Sequence, residues 1–130
     1  MYHTYFGAYN RLVTKKEPTL TCPENKTDFG GSYNMKVGLI TADEIALAGG
    51  LFNVNNPNYY LNNGENYYTM TPLEYYSYQA YLTSVNSSGA MVPTTAVNEI
   101  GVRPTIVLNK EVTISGSGTI NDPYTIDEQE

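Results

Sequence analysis

The stretch Lys36 to Gly50, KVGLITADEIALAGG, decides how the rest of the chain is read, because its local signals agree on a strand running into a short helix. Val37 to Ile40 is apolar and partly β-branched, which suits a strand. Thr41 then precedes Glu44 by three residues, the spacing at which a hydroxyl and a carboxylate satisfy two orphan helix donors reciprocally. Ile40 and Ile45 stand just before the cap and one turn in, where they can pack as a hydrophobic staple. Asp43 and Glu44 suit the positive end of the helix dipole, and helical neighbours do not face one another, so they are capping residues and not a catalytic carboxylate pair. Gly49-Gly50 ends the helix, since a left-handed residue costs glycine little. The pattern predicts a helix over 41–48 and gives Thr41 and Glu44 structural roles.

Upstream, Tyr2 to Val13 alternates irregularly between aromatic and polar positions and fits either an edge strand or a short helix covering a core. Pro18 to Ser32 is punctuated by Pro, Asn, Asp and a Gly pair and reads as a loop, with Leu20 to Cys22 its strand-like piece. Cys22 is the sole cysteine and His3 the sole histidine, far apart in sequence, which argues against a cysteine nucleophile. In a secreted chain an odd cysteine suggests a partner elsewhere, as expected of the C-terminal fragment of a longer protein.

Downstream, Leu51 to Tyr68 carries seven Asn and four Tyr and is predicted to be mostly loop around a short strand at Tyr59 to Leu61. Tyr67 to Met70 starts a strand that Pro72 is expected to end, and residues 74–78, EYYSY, read as an exposed loop. Gln79 to Val85 and Ala90 to Pro93 flank Asn86-Ser87-Ser88-Gly89, a four-residue hairpin connection. Thr105 to Leu108 is a continuous apolar, largely β-branched run of the kind found in a strand buried on both faces. Val112 to Ile114, Thr119-Ile120 and Tyr124 to Ile126 complete a series of short strands. One helix followed by many short strands predicts a single α+β domain with a mainly antiparallel sheet.

Composition narrows the function classes. The 130 residues have a net charge of −6, and residues 37–130 carry two Lys/Arg against ten Asp/Glu. Nucleic acid and anionic membrane surfaces both require clustered cations, so neither is an expected partner. No apolar run approaches the roughly 20 residues that span a bilayer, and no secretion signal follows Met1. Tyr (13) and Asn (14) are abundant. An AT-rich genome favours both residues, and so does a recognition surface, where Tyr gives rigid contact area and Asn adaptable hydrogen bonds.

Leu39-x-Thr41-x-x-Glu44 with Ala48 and Gly49-Gly50 resembles the helix motif of formylglycine-generating-enzyme-like and related bacterial C-type-lectin-like domains. Tyr67 to Pro72, Ala80-Tyr81-Leu82 and Gly101-Val102-Arg103-Pro104 follow in the order of those families' later motifs. The chain is also similar, over nearly its whole length, to an uncharacterised C-terminal domain of surface proteins in Gram-positive bacteria, some with prepilin-type leaders. That likeness rests on Tyr9 to Leu12, Pro18 to Pro23, Gly38 to Gly50, Tyr59 to Leu61, Tyr67 to Pro72, Gly101 to Pro104 and Gly116 to Ile126. It implies a C-type-lectin-like fold, a cell-surface location and a disulfide partner for Cys22 further upstream. A Tyr-Trp pair common in that family is Tyr67-Tyr68 here.

With one Cys and one His, the cysteine or metal oxidation chemistry of formylglycine-generating enzymes does not carry over, and neither a cofactor nor a metal is expected. A calcium site of the lectin kind needs an acid beside a proline, and Asn56-Pro57-Asn58 lacks one. Arg103, next to an expected core strand, is assigned a structural role as a forked donor. The expected ligand surface is the amide- and tyrosine-rich loop, with Asn55, Asn56, Asn58, Tyr59, Tyr60, Asn62 and Asn63, and with Tyr75, Tyr76 and Tyr78 as neighbours. The function expected is non-enzymatic recognition of, or adhesion to, a glycan or protein outside the cell. The alternative is the globular head of a pilin-like subunit.

Overall fold

The computed structural model describes residues 2–21, 34–119 and 121–127. Of the expected strand-like piece Leu20 to Cys22, residues 20 and 21 form an exposed bend and not a strand, and Cys22 with its disulfide lies outside the described residues. The fold is α+β, built on a mainly antiparallel sheet in the order β1-β3-β4-β5, with β6 beside β3. The strands are β1 (His3–Tyr5), β2 (Gly38–Leu39), β3 (Tyr67–Tyr76), β4 (Gln79–Val85), β5 (Met91–Thr95), β6 (Gly101–Val102), β7 (Pro104–Thr105), β8 (Ile114–Ser115) and β9 (Thr125–Ile126). Two pairs stand apart from this sheet, β2 with β7 and β8 with β9.

Helix α1 (Ala42–Leu47) begins where its sequence requires. Thr41 is the N-cap, its hydroxyl oxygen accepting from the Glu44 N–H at 3.2 Å, while Glu44 Oε2 accepts from the Thr41 N–H at 2.8 Å. Two further contacts fix this turn to β3. The Ala42 N–H donates to Thr71 Oγ1 at 2.9 Å, and the Met70 N–H donates to the Ile40 carbonyl at 3.0 Å. Two of the first-turn donors that no helix can satisfy internally, on Ala42 and Glu44, are thus met by side chains. Ile40 and Ile45 are both buried, in one cluster with Leu12, Ala42, Tyr59, Tyr67, Val85 and Met91.

The N-terminal region uses both of its expected conformations: β1, then a π-helical segment Tyr9–Lys15 that closes on a left-handed Lys16. This segment buries Leu12 and turns Arg11 toward α1. The Arg11 guanidinium grips the Asp43 carboxylate with two parallel bonds of 2.8 Å, from Nε to Oδ1 and from an Nη to Oδ2, and the Thr19 N–H adds a third at 2.9 Å. Asp43 is only 4% exposed. The sequence reading placed it as a dipole residue alone, and its main role is to receive this clamp.

Strand β3 corrects two expectations. It runs through Pro72 to Tyr76, so residues 74–76 are strand and not loop. The proline is tolerated because the β3–β4 register is irregular on both sides of it. On the other edge, β6 pairs only with Tyr67 and Tyr68 and β1 only with Glu74 to Tyr76, so no ladder bond is demanded of Pro72. Buried Tyr67, Thr69, Thr71 and Leu73 alternate along its core face. Thr69 is at home there because its hydroxyl donates to the Thr83 carbonyl at 2.8 Å.

The run Thr105 to Leu108 is not a buried strand. β7 ends at Thr105 because β2, its partner, is two residues long, and Ile106 and Leu108 are exposed while Val107 is 98% exposed. Tyr59 to Leu61 is likewise turn and not strand, its backbone closed by the Asn62 N–H on the Tyr59 carbonyl. The β4–β5 hairpin forms as expected. Asn86 Oδ1 accepts from Ser88 and Ala90 N–H groups at 3.0 Å, and Gly89 adopts φ 77° with no room for a Cβ, which would fall 2.2 Å from the Asn56 carbonyl oxygen.

Thr41→Ala should cost about 1 kcal/mol of stability by loss of the cap. Asp43→Ala, which strands a largely buried guanidinium, should cost more, about 3 kcal/mol. Urea unfolding of the two variants checks the order; equal midpoints would contradict it.

Candidate functional site

The structure separates the residues expected to form one ligand surface. Tyr67, at one end of β3, donates its hydroxyl to the Leu61 carbonyl and so sits against the 51–66 loop. Tyr75, Tyr76 and Tyr78 lie at the other end, nine residues on, about 30 Å away at about 3.3 Å per residue. They are not neighbours of the loop.

Within the loop most of the expected ligand groups are occupied. Tyr59 is a core residue, 7% exposed, and burial first, then the adjoining Tyr67, pushes its phenol well above the usual tyrosine range, with Arg103 partly offsetting this. Its hydroxyl has no hydrogen-bond partner among the described residues, and Tyr67 beside it gives its own proton to the Leu61 carbonyl. Asn56 donates to the Gly49 carbonyl at 2.8 Å and accepts from the Asn58 N–H; Asn62 donates to the Pro57 carbonyl at 3.1 Å and accepts from the Gly64 N–H; Asn63 accepts from the Glu65 N–H. These amides hold turns together, as short polar side chains do. The loop is stitched to the β4–β5 hairpin by Asn53 N–H to Met91 O and Asn56 N–H to Ser88 O. Of the expected ligand residues in the loop, Asn55, Asn58, Tyr60 and Asn63 are exposed, Tyr60 by 80%. Arg103 donates to the Leu61 carbonyl and lies 5.2 Å over the Tyr67 ring, bracing the loop against β3.

At the far end of β3 a different constellation assembles. β1 pairs antiparallel with β3 in the register His3↔Tyr76, Thr4↔Tyr75, Tyr5↔Glu74, which puts His3, Tyr5, Glu74 and Tyr76 on one face. β4 continues that face with Tyr81 opposite Glu74 and Gln79 opposite Tyr76. The His3 ring packs against Tyr5 (centroids 4.0 Å apart) and Tyr76 (4.7 Å), and Tyr5 stacks on Tyr9 at 3.8 Å and 29°. His3 Nε2 bonds Glu74 Oε2 at 2.8 Å. Desolvation, then Tyr9, holds the Tyr5 phenol above its ordinary value. Tyr2, Tyr5 and Tyr78 are exposed at this end of the sheet, while Tyr75, paired with Thr4, projects from the other face.

The hairpin tip beside it is strained. Ser77 (φ 49°) and Tyr78 (φ 66°) both adopt left-handed backbone in the two-residue connection from β3 to β4, as a type I′ turn requires. That turn prefers Asn-Gly, and a bulky residue in this conformation costs about 1 kcal/mol or more. Tyr78 is held there with its ring 80% exposed. Strain kept where a large side chain is presented to solvent marks the tip as a place where the side chain matters. The sequence reading named Tyr75, Tyr76 and Tyr78 but not His3, Tyr5, Tyr9 and Glu74, which only the pairing of β1 across some seventy residues brings to them.

Among the described residues no three His, Cys, Asp or Glu side chains are grouped to hold a metal ion, and no helix is long and apolar enough to cross a membrane. No family model, curated protein sequence or solved structure matches the chain.

Replacing Ser77-Tyr78 by Asn-Gly should relieve the turn and raise stability by about 1 kcal/mol. Thermal unfolding of the double variant checks this, and a lower melting temperature would show that the Tyr78 ring is held by packing and not merely presented.

Proposed function

We propose that this is a non-enzymatic recognition or adhesion domain, working at the cell surface and binding a glycan or protein through the aromatic end of its sheet. The observation that carries the reading is the cluster of His3, Tyr5, Tyr9, Glu74 and Tyr76 with exposed Tyr78 at the hairpin tip beside it. Tyrosine-rich, partly exposed faces on a rigid sheet give contact area at low entropic cost. The titratable groups brought together, His3 with Glu74 and Arg11 with Asp43, are each spent on one another. The likeness to C-type-lectin-like surface domains supports the same class of function and the extracellular setting. It places recognition in the long loop, whereas the amide bonding of residues 51–66 favours the opposite end.

The second reading, the head of a pilin-like subunit, is favoured by one observation. Ile106, Val107 and Leu108 are exposed, and their backbone groups make no hydrogen bonds within the described residues, the condition of a surface that packs against another subunit.

Two measurements separate the readings. Tyr78→Ala should abolish binding in a screen of immobilised glycans and extracellular-matrix proteins while leaving the melting temperature within a degree or two of the parent. Sedimentation that shows concentration-dependent assembly, lost in Val107→Lys, together with no ligand in the screen, would establish the subunit reading in its place.

A further inference from the structure

The tip of the loop before β3 carries a chemistry that neither reading of the function uses. Asn63-Gly64 is the one Asn-Gly step in the chain. We propose that Asn63 is a self-modifying site, its side-chain amide converting to isoaspartate or aspartate through attack by the Gly64 nitrogen, at a pace that Asn62 restrains.

The step balances with nothing but the chain and water. The Gly64 N–H gives its proton to solvent base, the nitrogen bonds to Asn63 Cγ, and the Cγ–Nδ2 bond breaks with Nδ2 leaving as ammonia. A cyclic imide remains. Water then opens it, either at the former backbone carbonyl, which routes the chain through Cγ as isoaspartate, or at Cγ, which gives aspartate. Nothing is oxidised or reduced.

Three observations place the reaction at this tip. Residues 63–65 are exposed and lie outside any strand ladder, and Gly64, at φ 78°, has no atom within 4 Å of where a Cβ would stand. The rotation that brings its nitrogen onto Cγ therefore meets no side chain, and glycine makes it at little cost. Asn63 Oδ1 accepts from the Glu65 N–H at 3.2 Å. The ring closed by that bond contains both reacting atoms, and its donor faces the oxygen on which negative charge develops as the nitrogen adds. Elsewhere the residue after asparagine is bulkier: Asn56 precedes a proline, which has no N–H to react, and Asn86, which precedes serine, is fixed in its hairpin by two N–H groups at 3.0 Å.

Asn62 acts in the opposite sense. Its Oδ1 accepts from the Gly64 N–H at 3.2 Å, and its Nδ2 is tied to the Pro57 carbonyl at 3.1 Å. The Gly64 nitrogen must give up this bond before it can lose its proton and turn onto Cγ, so Asn62 is a positioning residue that holds the nucleophile back. The product stays local. Ahead of the tip, the Leu61 carbonyl accepts from the Tyr67 hydroxyl and from Arg103; behind it, the Asn66 carbonyl accepts from the Gly101 N–H at 3.0 Å and Asn66 Oδ1 from the Ser87 N–H at 2.7 Å. Between these anchors the reaction adds a carboxylate beside Glu65 and, as isoaspartate, an extra main-chain carbon. The aromatic cluster lies at the other end of β3, so this inference stands apart from the recognition reading.

The test is incubation of the protein at mildly alkaline pH, followed by ion exchange and peptide mapping with isoaspartate detection. The Asn63 amide should be lost ahead of every other asparagine. Asn62→Ala should convert about fivefold faster, the factor carried by one ordinary hydrogen bond, whereas Asn62→Asp, which keeps the acceptor, should be no faster than the parent. Gly64→Ala should slow the loss, and Asn63→Gln should give no isoaspartate at the tip, with circular dichroism as the control for folding in each variant. Earlier conversion at another asparagine, or an Asn63 amide that persists in the protein while a free peptide of residues 59–68 converts, would overturn the site. Equal rates in Asn62→Ala and the parent would overturn the restraint.

Discussion

The Arg11–Asp43 pair is the interaction on which the arrangement of this protein depends. Asp43 sits in the first turn of α1, and that turn is fixed from below by Thr71 and Met70 of β3 and from within by the Thr41–Glu44 box. Arg11 reaches it from a segment whose link to β2 lies in residues 22–33, outside the description. Two parallel bonds of 2.8 Å with a third from Thr19 satisfy a carboxylate that is almost wholly buried. Such a pair gains little net stability over an apolar contact, because desolvation offsets the attraction, but losing one partner leaves an uncompensated charge. Its value here is positional: it sets where the N-terminal segment docks, and through that Leu12 joins the core while His3, Tyr5 and Tyr9 meet the end of β3.

The parts of the fold legible in the sequence are those fixed by neighbours along the chain. The capping box is a spacing of three residues, and the Asn86 to Gly89 hairpin uses residues with known turn preferences, so both could be read without partners. The illegible parts are those fixed across the chain. Nothing local to Asp43 announces a guanidinium 32 residues away, and nothing near Pro72 says that its strand has a gap on one edge and register shifts on the other. Ser77-Tyr78 is a type I′ connection built from residues that disfavour it, so turn chemistry concealed it. Thr105 to Leu108 misled in the opposite sense: its composition demands burial, and a two-residue partner strand does not supply it.

The same distinction governs the site. Loop residues 51–66 looked available because amides and tyrosines are recognition chemistry, yet Asn56, Asn62 and Asn63 are consumed in closing their own turns and Tyr59 in filling the core. Composition identifies which groups could bind a ligand. Only topology says which of them are left over after folding. At the β1 end of the sheet the rings of Tyr5, Tyr9 and Tyr76 pack on one another and on His3, which Glu74 holds, and Tyr5 stays exposed.

The central claim, that a single buried clamp positions the N-terminal segment and so builds the aromatic face, is tested most directly by residue-resolved hydrogen exchange of Asp43→Asn against the parent. The account predicts selective loss of protection in residues 3–19 and at Glu74 to Tyr76, where β1 pairs, with protection kept in the β4–β5 hairpin from 79 to 95. Unchanged protection throughout, or a uniform loss across both regions, would contradict it.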